Sequence, residues 1–150
     1  MEHLIFFLFT VVCAGLFACV EIQIEGVDGW GEKFPTWRID TKWSRIFMSG
    51  KPLTGYHFYL LIFSLVVVHL PFASGLVPWT WQAEARVGSF LILFWVLEDF
   101  LWFVFNPAFG FRRFRKQYIW WHAPAWWWIA PKDYWLFSPI GLSLYWMSIR

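Results

Sequence analysis

VGSFLILFWVLEDFLWFVFN, Val87 to Asn106, decides how this chain reads: 20 residues in which only Glu98 and Asp99 are charged. At ~1.5 Å of rise per residue the stretch makes a helix just long enough to cross the ~30 Å hydrocarbon core of a bilayer. A carboxylate at that depth costs ~2.5–3.5 kcal/mol on insertion scales. It must therefore face protein or water, keep a partner, or hold its proton.

Composition extends the reading outward. The 150 residues are 59% hydrophobic, 25% aromatic and only 15% charged, with 14 Trp and 18 Phe. Those excesses suit a single polytopic domain, because Trp and Tyr favour the level where a bilayer meets water. Cys13 and Cys19 lie six apart, about 240° around one helix at ~100° per residue, so they do not pair with each other and read as small core residues.

Four spans are predicted, at about 4–22, 54–72, 87–106 and 134–149, with Trp-rich interfacial segments at about 34–50 and 118–130. The first is uncharged from Leu4 to Val20. A signal peptide is its rival, but Phe17 is bulky for the cleavage box Leu16-Phe17-Ala18-Cys19 and Glu2 replaces the expected basic leader. Between spans one and two, the glycines around Asp28 favour a tight turn, and Thr36-Trp37-Arg38 after Pro35 is read as opening a short interfacial helix. Pro71, Gly75 and Pro78 end the second span, and Trp79 and Trp81 fall in the connection before the third. Pro107 ends the third. YIWWHAPAWWWIAP is too short to span and is interrupted by Pro124.

Orientation follows from basic residues. If segments 21–53 and 107–133 share a side, ten Lys and Arg lie there against Arg86 and Arg150 on the other. That predicts both termini outside and both large loops in the cytoplasm, in a membrane of the bacterial inner type.

This topology gathers the reactive residues at the cytoplasmic ends of the helices. Glu21 and Glu25 close the first span, His57 opens the second, His122 sits in the Trp-rich segment, and Glu98 with Asp99 lies about 10–12 Å inside the third at ~1.5 Å per residue. Adjacent helical residues point about 100° apart, so one acid should face the bundle centre and the other pair sideways. Glu98 shares a face with Phe94, Trp95, Trp102 and Phe105, an apolar collar that suits a proton donor. The candidate catalytic residues are Glu98, Asp99, His57 and His122. Trp95, Trp102, Glu21, Glu25, Arg38, Arg112 and Arg113 are candidate ligand-binding residues, the arginines through anionic headgroups. For the basic run Arg112-Arg113-Phe114-Arg115-Lys116, setting topology is the competing reading. No H-E-x-x-H, His-x-x-x-His or paired E-x-x-H spacing occurs, so no metal site is predicted, and the cofactor stays unknown. Membrane lipids are the expected partners, with other membrane subunits or further copies of the chain as alternatives. The basic cluster is short and lies against the bilayer, so nucleic acid is not indicated.

Leu97-Glu98-Asp99-Phe100-Leu101-Trp102-Phe103 resembles the acidic motif of the membrane-bound lycopene cyclases, in which a proline precedes paired acids and an aromatic tail follows. Seven residues carry the resemblance, with Val96 and Leu97 in the region of the proline and no second copy. It implies acid chemistry on a polyene. The leading expectation is therefore an all-α, four-helix membrane protein that binds or transforms a lipid or isoprenoid-like molecule by acid/base chemistry. An accessory subunit of a larger membrane complex is the alternative, and a proton or ion pathway a weaker one.

Overall fold

The structure, a computed structural model, describes residues 1–150, with Phe47 described by its backbone alone. Among the described residues there are six α-helices: α1 (Glu2–Glu25), α2 (Lys42–Phe47), α3 (Gly55–Val68), α4 (Leu70–Ala73), α5 (Trp81–Phe105) and α6 (Lys132–Ser148). Two antiparallel ladders of two residues per strand join the loops. β1 (Arg38–Ile39) pairs with β2 (Leu53–Thr54), and β3 (Trp126–Trp127) with β4 (Ala130–Pro131). Among the described residues α1 and α5 are the two helices long and apolar enough to cross a membrane. The fold is mostly helical, as the sequence predicts.

The central helix, α5, is flanked by α1 and α6. Small residues allow the close approaches: Ala14 and Ala18 on α1 are fully buried, and a Cβ on Gly141 of α6 would stand 2.8 Å from the Leu93 side chain of α5. Near the end of α5 an aromatic core forms from Trp30, Trp102, Phe103 and Trp121 with Ile119 and Ala18. Phe103 stacks on Trp121 with ring centroids 5.7 Å apart. Asn106 locks the two long helices together here, its side-chain amide donating to the Gly26 carbonyl at 2.7 Å. The outer faces of α1 (Leu4, Leu8, Leu16) and α3 (Tyr59, Phe63, Val66) are apolar and exposed. Contiguous apolar surface of this kind, two apolar helices and dense tryptophan fit a membrane protein.

Several boundaries differ from the expectation. The helix holding the acids starts at Trp81, six residues before Val87, because the Thr80 hydroxyl accepts from the Ala83 N–H at 3.1 Å and caps it there. Trp81 therefore belongs to the helix and not to the connection. The second apolar segment is not one helix over 54–72. It breaks at His69, since Pro71 has no N–H to continue the ladder, and α4 follows as a separate turn. In segment 34–50 the stretch after Pro35 runs into β1 instead of a helix, because Leu53 and Thr54 pair with it. The helix starts only at Lys42, where Thr41 and Ser44 form a reciprocal capping box. Segment 118–130 is a 3₁₀ turn (Ala123–Ala125) running into the β3–β4 hairpin. The last helix starts at Lys132, two residues early, and carries Pro139 inside it.

Candidate functional site

A cavity of about 500 Å³ opens where α1, α3, α5 and α6 meet beneath the 107–131 segment. That is within the ~300–1,000 Å³ range of small-molecule sites. Its polar end holds Glu21, Glu25, Lys51, His57, Glu98, Asp99 and His122. Its apolar end runs between α3 (Leu61, Leu65) and α5 (Leu91, Ile92).

Each polar residue is placed by a local feature. Glu21 and Glu25 are one helical turn apart at the end of α1. Glu21 accepts from the Tyr56 hydroxyl at 2.9 Å, and Glu25 accepts from the Gly31 N–H at 2.6 Å. Thr54 caps α3 by accepting from the His57 N–H at 3.2 Å, and its hydroxyl lies 2.6 Å from His57 Nδ1. A hydroxyl donating to Nδ1 leaves the proton on Nε2, which stands 3.6 Å from Glu25 Oε1. The His57 ring also stacks on Trp30, centroids 3.8 Å apart. Across the cavity Glu98 and Asp99 diverge as adjacent helical residues must. Glu98 lines the cavity together with Glu21 of α1.

Asp99 turns the other way. His122 Nε2 lies 3.1 Å and 3.0 Å from its two oxygens, and the Tyr134 hydroxyl donates to Oδ2. The chain holds His122 there through a tight turn, His122 N–H to the Ile119 carbonyl at 3.2 Å and Ala125 N–H to the His122 carbonyl at 3.0 Å. Burial lowers the His122 pKa below the ordinary imidazole range, opposed by the neighbouring Asp99 carboxylate. A neutral ring has one N–H, and Asp99 takes it, so the lone pair is on Nδ1. This is the arrangement of an imidazole base oriented by a carboxylate.

The depressed His122 pKa has a sign for stability. The contribution from keeping the ring neutral is fully present above the unfolded value of about 6.5 and is lost as pH falls through the folded pKa. The thermal midpoint of the detergent-solubilised protein should therefore drop on acidification below that value. His122→Asn, although less stable throughout, should show a shallower drop. Equal slopes would contradict the assignment.

Three lining residues carry a polar atom sealed from water and without a hydrogen-bond partner: Glu98 Oε1, Trp102 Nε1 and His122 Nδ1. Each such group costs about 1–3 kcal/mol. Lys51 is 6% exposed, and its ammonium lies 4.1 Å from the centroid of the Trp30 ring. Among the described residues no carboxylate comes within 4.0 Å of it. The residues that carry these groups, donors and acceptors, line one cavity.

The structure brings together Glu21, Glu25, His57, Trp95, Glu98, Asp99, Trp102 and His122. It does not bring in the arginines. Arg38 donates to the Gly31 and Glu32 carbonyls and so braces the glycine turn. Arg113 donates to the Ala108 carbonyl at 2.7 Å, and Arg112 lines a separate groove with Arg115, Lys116 and Trp128. Of the expected collar, Phe105 is exposed and Phe94 packs on Phe17 of α1, which leaves Trp95 and Trp102 at the cavity. The last helix, from which no site residue is predicted, supplies Tyr134, Asp133 and Phe137. Lys51, Trp30, Tyr56 and Tyr134 are the polar residues sequence reasoning missed. Nothing in their spacing marks them, since each arrives from a different segment. Among the described residues no group of three or more His, Cys, Asp or Glu is arranged to hold a metal ion. Comparison with protein families, curated proteins and solved structures finds no match to this chain.

Proposed function

We propose that this chain is a small membrane protein whose cavity binds or transforms a lipid or isoprenoid-like molecule by acid/base chemistry. The supporting observation is the cavity itself, apolar between α3 and α5 and lined at its other end by the divergent acids Glu98 and Asp99 and two imidazoles. Glu98 is the proton donor or anchor, and His122, oriented by Asp99, is the base. His57 with Glu25 forms the opposite polar wall. In this reading α1, α3 with α4, α5 and α6 are four spans, both termini lie outside, and the basic loops face the cytoplasm of a bacterial inner membrane. Arg112, Arg113, Arg115 and Lys116 then hold the cytoplasmic side through anionic headgroups.

The test is binding and turnover of lipid fractions by the purified protein. Glu98→Gln combined with His57→Ala should weaken binding or turnover of at least one fraction by about 10-fold or more. Unchanged behaviour toward every fraction would refute the proposal.

A second reading, an accessory subunit of a larger membrane complex, draws on the exposed aromatic ladder of Trp127, Trp128 and Trp135, whose rings stand 5.6–6.1 Å apart along the β3–β4 hairpin and α6. Purification in mild detergent separates the two, because a subunit should retain stoichiometric protein partners.

A further inference from the structure

We infer that the cavity selects an apolar molecule whose head is an uncharged hydroxyl, held by acceptors on Glu98 and His122 and by donors on Trp102 and Lys51. This deepens the proposal above and rests on it.

The inference comes from matching unmet groups. Trp102 Nε1 is a donor only and has no partner, and the Lys51 ammonium brings three donors and has no carboxylate within 4.0 Å among the described residues. His122 Nδ1 is an acceptor once Nε2–H is committed to Asp99. Glu98 Oε1 accepts when the carboxyl is ionised and can donate when it carries the proton. Glu98 and Trp102 are one helical turn apart, so their side chains share a face of α5. Lys51, Glu98, Asp99, Trp102 and His122 all line the same cavity.

Charge decides against the other heads. An ammonium would leave Trp102 unmet and meet Lys51 as a like charge. A carboxylate or phosphate would leave His122 Nδ1 unmet and confront Asp99, Glu25 and Asp133 across a cavity walled by low-dielectric side chains. A hydroxyl carries one donor and two acceptor sites, so its proton serves His122 or Glu98 while its lone pairs serve Trp102 and Lys51. Its tail follows Leu61, Leu65, Leu91 and Ile92, where the lining carries no polar side chain.

The experiment offers the full-length protein, in lipid nanodiscs, an equimolar mixture of oleyl alcohol, oleic acid, oleylamine and 1-octadecene, and reads the retained species by native mass spectrometry. Oleyl alcohol should be retained at least about 10-fold over each of the others, since a site built to hydrogen-bond a hydroxyl rejects analogues lacking one. Lys51→Met and Glu98→Leu should each collapse that preference. Trp102→Phe, which removes the N–H while filling its space, should shrink it without loss of octadecene retention, and serves if the other two variants fail to fold. Equal or stronger retention of a charged probe overturns this inference alone and leaves the lipid-cavity reading standing. Retention of no probe above the nanodisc background overturns both.

Discussion

Alanine at Gly29 should lower the thermal midpoint by roughly 6–12 °C, taking ~3 kcal/mol at ~2–4 °C per kcal/mol for a chain of this size. Two costs add. Gly29 has φ +66°, a left-handed conformation that costs a residue with a Cβ about 1–2 kcal/mol. The new Cβ would also stand 2.4 and 2.5 Å from carbons of the Trp121 ring. That ring is 4% exposed and stacked on Phe103, so it has nowhere to withdraw, and overpacking costs a further ~1–3 kcal/mol. Gly75 is the control, with φ +73° and nothing within 4 Å of its notional Cβ. Its alanine variant should show the conformational cost alone, about 1–2 kcal/mol. Equal shifts for the two variants would mean that Trp121 does not pack on the glycine turn.

Asp99→Ala should be the most damaging change inside the cavity. It removes the acceptor of both Tyr134 and His122 and leaves their donors buried without a partner, at about 1–3 kcal/mol each. A loss of roughly 3 kcal/mol in denaturant or thermal stability is expected. Asp99→Asn separates structure from chemistry. It keeps the shape and an acceptor oxygen, so most of the stability should return. The carboxylate that sets the His122 proton on Nε2 is gone, however, and any turnover of a lipid substrate should stay about 100-fold or more below the wild type. If the asparagine variant recovers both properties, His122 is not a base oriented by Asp99. Midpoints of purified variants, and rates on whichever lipid fraction is turned over, decide the matter.

The helices were legible because their signal is local. An uncharged run such as Leu4–Val20 or Val87–Leu97 can satisfy its backbone in only a few ways, but such a run does not mark its own start, and the Thr80 cap begins α5 six residues before Val87. The divergence of Glu98 and Asp99 follows from helical periodicity alone, and so does the placing of Glu21 and Glu25 on one face of α1. What was hidden depends on segments distant in sequence. The β1–β2 ladder joins residues 38 and 54, and no periodicity in two-residue strands announces it. Lys51 read as one more topology-setting cation, yet the turn after α2 folds it beneath Trp30. Tyr134 read as the start of a separate last helix, yet it reaches Asp99 across 35 residues of sequence. Arg38 had the charge expected of a headgroup ligand and spends it on two backbone carbonyls of the glycine turn.

α3 has one more consequence. It is pinned at its first turn, through the Thr54 cap, the Tyr56 bond to Glu21 and the Trp30 stack on His57, while its remaining length touches α5 only sparsely. The apolar end of the cavity therefore opens along the seam between α3 and α5. If the cavity takes an apolar molecule as proposed, the opening between α3 and α5 gives that molecule a sideways route to the acids from hydrocarbon, without passage through water.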